Sequence, residues 1–369
     1  MKVALVHDWL TGMRGGEKVL EAIAEIYPDA DIFTLVHVKG SVSRLIESRR
    51  IRASFIQRLP VAGRFYRHYL PLFPIAIELL DLGGYDLVIS SSHCAAKAAV
   101  PQGLARHICY CHSPMRYAWD QFGEYFGAQR TGRLGEALYR PVMACLARWD
   151  ASTSSRVHRF VANSAFVASR IRRYYGRDAA VLYPPVDTEF YHPDDTTPGD
   201  AFLVVSAMVP YKRLDLAIAA CQRVGAPLRV VGVGPDRQRL ERQSEGDVTF
   251  LGQLSDEALR DEYRRAKAVI LPGAEDFGIV PVEAQACGRP VVALARGGAI
   301  ESVIDGETGA FFAESSVQSL ADAIDRLGAM RIDSSRVRAN AVRFSRSRFA
   351  LALRGLIDES MARQPDARW

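Results

Sequence analysis

Short, uniformly apolar runs alternate along the chain with longer stretches of helical period, the rhythm of parallel strands joined by crossover helices. The pattern predicts strands at 3–6, 31–34, 86–90, 107–111 and 159–162 in the first half. In the second half it predicts them at 201–206, 228–231, 248–251, 268–271 and 290–294. These runs are too apolar for half-exposed strands, so helices are expected to cover both sheet faces. Between the halves lies YPPVDTEFYHPDDTTPGD (183–200), rich in Pro and Asp and without helical period, which predicts a linker. The expected fold is α/β: two Rossmann-like, doubly wound domains facing a central cleft. Ligands of such sheets bind at the carboxyl ends of the strands.

The chain has 369 residues, enough for two cores, with 49% apolar and 24% charged residues. No run approaches the roughly 20 apolar residues of a membrane-spanning helix. MKVALVHDWL lacks the long apolar stretch and small-residue cleavage site of a signal peptide, so a cytoplasmic protein is expected. The six cysteines (94, 109, 111, 145, 221, 287) form no CxxC pair and are expected as buried thiols. Cys109 and Cys111 beside His112 lack further ligands at zinc spacing, so no metal is expected.

Charge changes the picture. Residues 1–178 hold 24 Lys/Arg against 15 Asp/Glu, whereas 179–369 hold 23 against 27. The excess gathers between Arg44 and Arg67, where Arg49, Arg50, Arg52, Arg58 and Arg64 interleave with Ile, Leu and Phe. Basic and apolar residues mixed in this way suit an anionic membrane surface; the alternative is a solvated, Arg-rich helix pair. No nucleic-acid motif accompanies the charge, and nucleic acid is not an expected partner.

The strongest chemical signal is GAEDFGIVPVEAQACGRPVVALARGGAIE (273–301). Pro281 suits the first turn of a helix and Gly288 its end. That would place the amides of Gly278 and Ile279, beside Phe277, at a helix N-terminus able to hold an anion. Glu275 and Glu283 would flank it as acceptors for hydroxyl groups. Phosphate plus hydroxyls describes a sugar nucleotide. Gly232 and Gly234 follow a predicted strand and precede a helix, although the third glycine of a dinucleotide fingerprint is missing. Gly15 and Gly16 precede a helix expected to begin near Glu17 and permit close backbone approach. His112 ends a strand before a proline, and His93 also ends one.

Glu275-x7-Glu283 resembles the EX7E motif of retaining glycosyltransferases, and the surrounding string resembles glycosyltransferase family 4, from Met1 to about Phe349. The resemblance implies the two-domain GT-B fold, with domains at 1–190 and 191–345. It also implies a last helix, 346–369, returning to the first domain. Glu275 would contact the transferred sugar and Glu283 the donor ribose. Lys212 in AMVPYKRLDLAI would neutralise the donor diphosphate. The family carries an arginine five residues earlier, where this chain has Ala207, so either Arg213 supplies the missing charge or the diphosphate relies on backbone amides. Gly232 and Gly234 would border the donor, and the backbone of Gly252, Gln253 and Leu254 would read the base. Gly15 and Gly16 would face sugar and phosphate, with His112 beside the reacting sugar.

YCHSPMRYAWD (110–120) resembles a branch containing bacterial mannosyltransferases of surface-polysaccharide assembly. It places Arg116, Tyr117, Trp119 and Asp120 on the acceptor side, with His93 as a further candidate. Asn163 or Ser164 is expected to cap a helix. The implied reaction moves a hexose, mannose from GDP-mannose, to a glycan or polyprenyl-diphosphate-linked acceptor at the inner face of the membrane. The nucleotide sugar is a co-substrate, and no cofactor is expected. A sugar-nucleotide epimerase or phosphorylase on the same plan, or a non-catalytic nucleotide-sugar-binding protein, remains open at this level.

Overall fold

A computed structural model describes residues 1–362; residues 363–369 of the expected last helix lie outside the described residues. The chain divides into two compact units, one of Met1–Pro185 with the segment from Phe349, the other of Val186–Arg348.

The first unit is a seven-stranded, wholly parallel sheet. Its strands are β1 (Val3–His7), β2 (Asp31–Thr34), β3 (Ile51–Ala53), β4 (Leu87–Ser92), β5 (Arg106–Cys111), β6 (Arg159–Ala162) and β7 (Ala179–Val181). Their order is β3-β2-β1-β4-β5-β6-β7, so the winding direction reverses between β1 and β4. Successive residues of β1 point to opposite faces. Ala4 and Val6 enter one apolar cluster with Phe73, Ile77 and Met143. Val3 and Leu5 enter the other with Ile23, Leu353 and Ile357. The helix Arg346–Ala362 thus completes the second layer through Phe349, Leu353 and Ile357.

The second unit has six parallel strands: β8 (Phe202–Val205), β9 (Leu228–Val231), β10 (Val248–Gly252), β11 (Val269–Leu271), β12 (Val291–Leu294) and β13 (Gly309–Phe312). Their order is β10-β9-β8-β11-β12-β13, and the reversal falls between β8 and β11. Part of the predicted linker is built into this unit. The Val186 amide donates to the Phe344 carbonyl, and buried Tyr191 packs edge-on to Tyr263. Two apolar residues anchor a segment whose Pro and Asp content reads as loop.

Three strands escape the sequence pattern. β3 and β7 are short edge strands without buried residues, so they carry no apolar run. β13 opens on Gly309, where a side chain would strike the Val291 carbonyl.

The expected basic cluster also divides. Ile46, within the short helix Arg44–Glu47, packs into the Leu5 layer, whereas Ile56, Tyr66 and Leu70 pack into the Ala4 layer on the opposite sheet face. Arg49 donates to the carbonyls of Pro28 and Ala24, and Arg52 pairs with Asp31 at 3.4 Å. These two arginines are therefore tied to the protein rather than displayed. Five cysteines are buried free thiols as expected, but Cys145 is exposed because its helix turns the opposite face to the core.

Candidate functional site

In the first unit, polar side chains collect at the carboxyl ends of β1, β4 and β5, next to the winding reversal. Ligands of open parallel sheets bind at such reversals. His7 ends β1, Ser91 lies near the end of β4, and His112 follows β5. The Ser91 hydroxyl is 3.1 Å from His7 Nδ1 and 2.8 Å from His112 Nε2. His7 Nε2 faces the Glu17 carboxylate at 3.8 Å, a charge–dipole contact longer than a hydrogen bond. Burial raises the Glu17 pKa, but interaction with His7 outweighs it and the carboxyl stays below its ordinary value.

This geometry orders the protons. An ionised Glu17 favours the His7 tautomer with N–H at Nε2, so His7 Nδ1 accepts from Ser91. Ser91 then accepts from Nε2–H of His112, leaving His112 Nδ1 as an acceptor. Burial, then the nearby His93 charge, holds His112 well below the ordinary imidazole pKa. It is a neutral hydrogen-bonding group.

Asp8 anchors the site floor. Fully buried, it accepts from the amides of His93, Cys94, Ala95 and Ala96 at 2.6–3.1 Å and pairs with His93 Nδ1 at 3.0 Å. Burial alone would raise its pKa. The His93 charge and hydrogen bond hold it far below the carboxylate range. His93 is therefore fixed by Asp8 and by edge contact with Trp9 at 4.5 Å.

Gly15 and Gly16 lie within the first turn of the helix Gly15–Ile26, not in a loop before it; Glu17 closes that end by accepting from the Arg14 amide. A side-chain carbon at Gly16 would stand 3.5 Å from His7 and 3.7 Å from His112. Glycine keeps that approach open.

The proposed acceptor group is more structural than the sequence suggests. Tyr117 meets the Cys94 thiol and packs into the core. The Trp119 indole donates to Asp150 at 2.7 Å and its ring stacks on Tyr174. Asp120 pairs with Arg170 at 2.9 Å. Arg116 opens the short helix Arg116–Trp119. Trp119 and Asp120 thus hold their loop against neighbouring helices. Asp150 also meets buried Lys97 at 3.1 Å, so the loop is tied to an interior ion pair.

In the second unit Lys212, in the turn Pro210–Lys212 after β8, forms an ion pair with Glu275, which follows β11. The pair spans the winding reversal of this sheet. Glu275 is fixed through its backbone: its carbonyl accepts from the Gly298 amide at 2.9 Å, and it bridges Gly297. Side chains at Gly297 and Gly298 would strike the backbone of 275–277. Gly278 adopts φ 81°, turning the chain into the helix Val280–Ala286. Ile279 caps that helix, Pro281 lies in its first turn, and Phe277 is buried beneath. Gly288 closes it at φ 74°.

Glu283 is buried and accepts a 2.8 Å hydrogen bond from Tyr263. Arg213 departs from the expectation of a second diphosphate cation. Its guanidinium binds Asp215 at 3.2 Å and Ser315 at 2.9 Å, so its charge already has a partner. Gly232 and Gly234 have a packing reason of their own, because side chains there would meet the carbonyls of Ser206 and Met208. Gly252 accepts from the Gly232 amide at 2.7 Å at the bulged end of β10. Gln253 and Leu254 follow, before a helix capped by Ser255. Ser164 caps its helix by accepting from Val167.

Sequence reasoning missed Asp8, Ser91, Glu17, Tyr263 and the Gly297–Gly298 pair. The available signal was polar residues closing apolar strands, in VALVHD and VISSSH. Among the described residues, no group of three His, Cys, Asp or Glu is placed to hold a metal. No described helix is long and apolar enough to cross a membrane.

Two parallel, doubly wound sheets with these strand-end sites define the GT-B class of glycosyltransferase fold. The model of Glycosyltransferase Family 4 matches residues 13–190, and that of Glycosyl transferases group 1 matches 193–344. Each half of the chain thus matches a glycosyltransferase family model. It is 33% identical over 194 residues to the D-inositol 3-phosphate glycosyltransferase of Mycobacterium tuberculosis, a match covering 46% of this chain and 40% of that protein. Anabaena HepE, solved with UDP and glucose, superposes with a TM-score of 0.74 at 20% identity, over 97% of this chain and 99% of that one. Sucrose-phosphate synthase of Thermosynechococcus elongatus gives 0.72 at 19%, over 98% and 100%. At these identities the two structures establish the fold.

Proposed function

We propose that this protein is a retaining hexosyltransferase that moves mannose from GDP-mannose to a glycan or polyprenyl-diphosphate-linked acceptor in surface-polysaccharide synthesis. The observation that carries the reading is the Lys212–Glu275 pair across the β8–β11 reversal. Lys212 exchanges its Glu275 partner for the donor diphosphate, and Glu275, released, accepts hydrogen bonds from sugar hydroxyls. Lys212 and the amides at Gly278 and Ile279 stabilise charge growing on the departing diphosphate. Glu283 binds the ribose through its carboxylate while Tyr263 steadies it. In the first unit His112, neutral and oriented by Ser91, accepts a hydrogen bond from the sugar or acceptor.

The bond from the anomeric carbon to the diphosphate oxygen breaks as the acceptor oxygen bonds on the same face. The acceptor proton passes to the departing phosphate oxygen. GDP and the glycosylated acceptor result. A lipid-linked acceptor would bring the enzyme to the inner face of the membrane.

The experiment is a thermal-shift screen of GDP-mannose, UDP-glucose and related donors, followed by nucleotide release with lipid-linked acceptors. GDP-mannose stabilisation with acceptor-dependent GDP release is expected. Preferential stabilisation by UDP-glucose would replace the donor. Binding without turnover would favour a non-catalytic sugar-nucleotide-binding protein, and consumption of inorganic phosphate a phosphorylase.

A further inference from the structure

The helical segment Ala128–Ser152 breaks at Gly132 (φ 73°, ψ 167°), and its part beyond the break carries a second apolar stripe where solvent is expected. Met143, Leu146 and Asp150 are its buried residues, at i, i+3 and i+7. An α-helix turns 100° per residue, so Leu134, Leu138, Pro141 and Cys145 form a stripe on the opposite side. That side is open: Leu134 is 89% and Leu138 69% exposed. A surface helix ordinarily turns charged residues outward. Here the charges flank the stripe as Arg133, Arg140 and Arg148, all exposed. The acid among them, Glu136, is bound by Arg140 and by the Ala128 amide.

Neighbouring segments continue the surface. Ala62, Tyr66, Leu70, Phe73 and Ile77 share one apolar cluster with Met143 and Leu146, and the Trp149 indole donates to Glu78 at 2.9 Å. The outer side of that layer exposes Val61 (62%), Ile75 (55%) and Leu79 (69%) among Arg58, Arg64 and Arg67. Exposed apolar residues concentrated in one layer exceed the scattered singles of an ordinary surface.

We propose that this outer face, formed by residues 55–79 and 128–149 over the Ala4 side of the first sheet, docks on an anionic lipid bilayer. The apolar stripe enters the boundary between headgroups and chains while the flanking arginines meet lipid phosphates. Charge selects this occupant: a second copy would set arginine against arginine. Arg44, Arg49 and Arg52 play no part, because Arg44 lies on the helix whose Ile46 packs into the layer on the opposite sheet face and Arg49 and Arg52 are bound internally. The proposal deepens the reading of a membrane-borne acceptor, but its test needs neither donor nor turnover.

The full chain is floated with vesicles of mixed phosphatidylcholine and phosphatidylglycerol, and with phosphatidylcholine alone. A polarity-sensitive fluorophore on Cys145, the exposed cysteine of the described residues, reports insertion. Binding is expected on the mixed vesicles, weakening with salt, with a blue shift of the fluorophore. Leu134→Ser with Leu138→Ser is expected to lower partitioning about tenfold or more, as is Arg133→Glu with Arg148→Glu. Arg44→Glu should leave it within about twofold. All these side chains are exposed, so unchanged melting temperatures confirm that each variant folds. Equal binding to neutral vesicles, undiminished binding of the leucine variant, or loss through Arg44 would overturn the proposal. A concentration-dependent dimer abolished by the leucine variant, without vesicle binding, would assign the face to a second copy. A chain that binds vesicles yet transfers no sugar would sink the transferase reading and leave the docking face standing.

Discussion

The Ser91 hydroxyl and His112 Nε2 lie 2.8 Å apart, so a side chain of β4 sets the hydrogen-bonding sense of the group that follows β5. Ser91→Ala removes that link and leaves the His112 tautomer unfixed. Turnover is expected to fall about tenfold while donor affinity holds. Histidine ¹⁵N shifts should move from one tautomer towards a mixture. A single unchanged tautomer in the variant would remove Ser91 from this role.

Lys212 and Glu275 respond differently to truncation. Lys212→Ala removes a charge-assisted contact of about 1.5–3 kcal/mol, weakening donor binding roughly ten- to a hundredfold by calorimetry. Glu275→Ala frees Lys212 and should depress turnover far more than donor affinity. Equal losses in both parameters for both variants would contradict the division of labour.

Buried Glu283 has both structural and proposed binding work. Tyr263→Phe removes a buried hydrogen bond to the Glu283 carboxylate and should cost about 1–3 kcal/mol of stability. Glu283→Ala is expected to weaken donor affinity as well. If it lowers only the melting temperature, the ribose role is lost.

Because Arg213 is held by Asp215 and Ser315, Arg213→Ala is expected to leave donor affinity within about twofold. Ala207→Arg tests whether that position admits a second cation, with tighter donor binding expected. A large loss for Arg213→Ala would show that it leaves Asp215 for the ligand.

The first unit should weaken in mild acid. Burial pushes His107 down to about 3 from an ordinary 6.5, so below about 6.5 the unfolded chain takes up a proton the folded one refuses. Stability is then lost as pH falls from about 6.5 towards about 3, by up to about 1.4 kcal/mol per pH unit for this group. Depressed His112 acts in the same direction. Asp8, also depressed, adds a further loss only when pH falls below its ordinary 3.8. Melting temperatures across this range should show a slope that His107→Gln reduces.

The legible part of the fold consists of strands buried on both faces, because continuous apolar runs such as VALV and VVAL have few alternatives. Edge strands β3 and β7 escape notice because they have no buried side chain to pattern. At the site, Lys212, Glu275, Glu283 and His112 are visible through local strings. Asp8 and Ser91 are not, because their importance comes from pairings between strands, of Asp8 with His93 and of Ser91 with both His7 and His112, which only the β1–β4 and β4–β5 registers create. Trp119 and Asp120 show the converse: a string suggesting recognition is occupied largely with holding its own loop.

The helix that supplies Phe349, Leu353 and Ile357 makes the first unit discontinuous in the chain, with the whole second unit inserted before its last layer. During synthesis, β1 to β7 leave the ribosome with one sheet face short of that cover. The second unit, one unbroken segment, has all its strands available before the closing helix is made. The half translated first is the half completed last. A stalled or truncated product ending near residue 345 would therefore leave Tyr110 of β5 without Phe349 and Arg159 of β6 without Leu356 and Glu359, a face open to chaperones and proteases even with every strand already present.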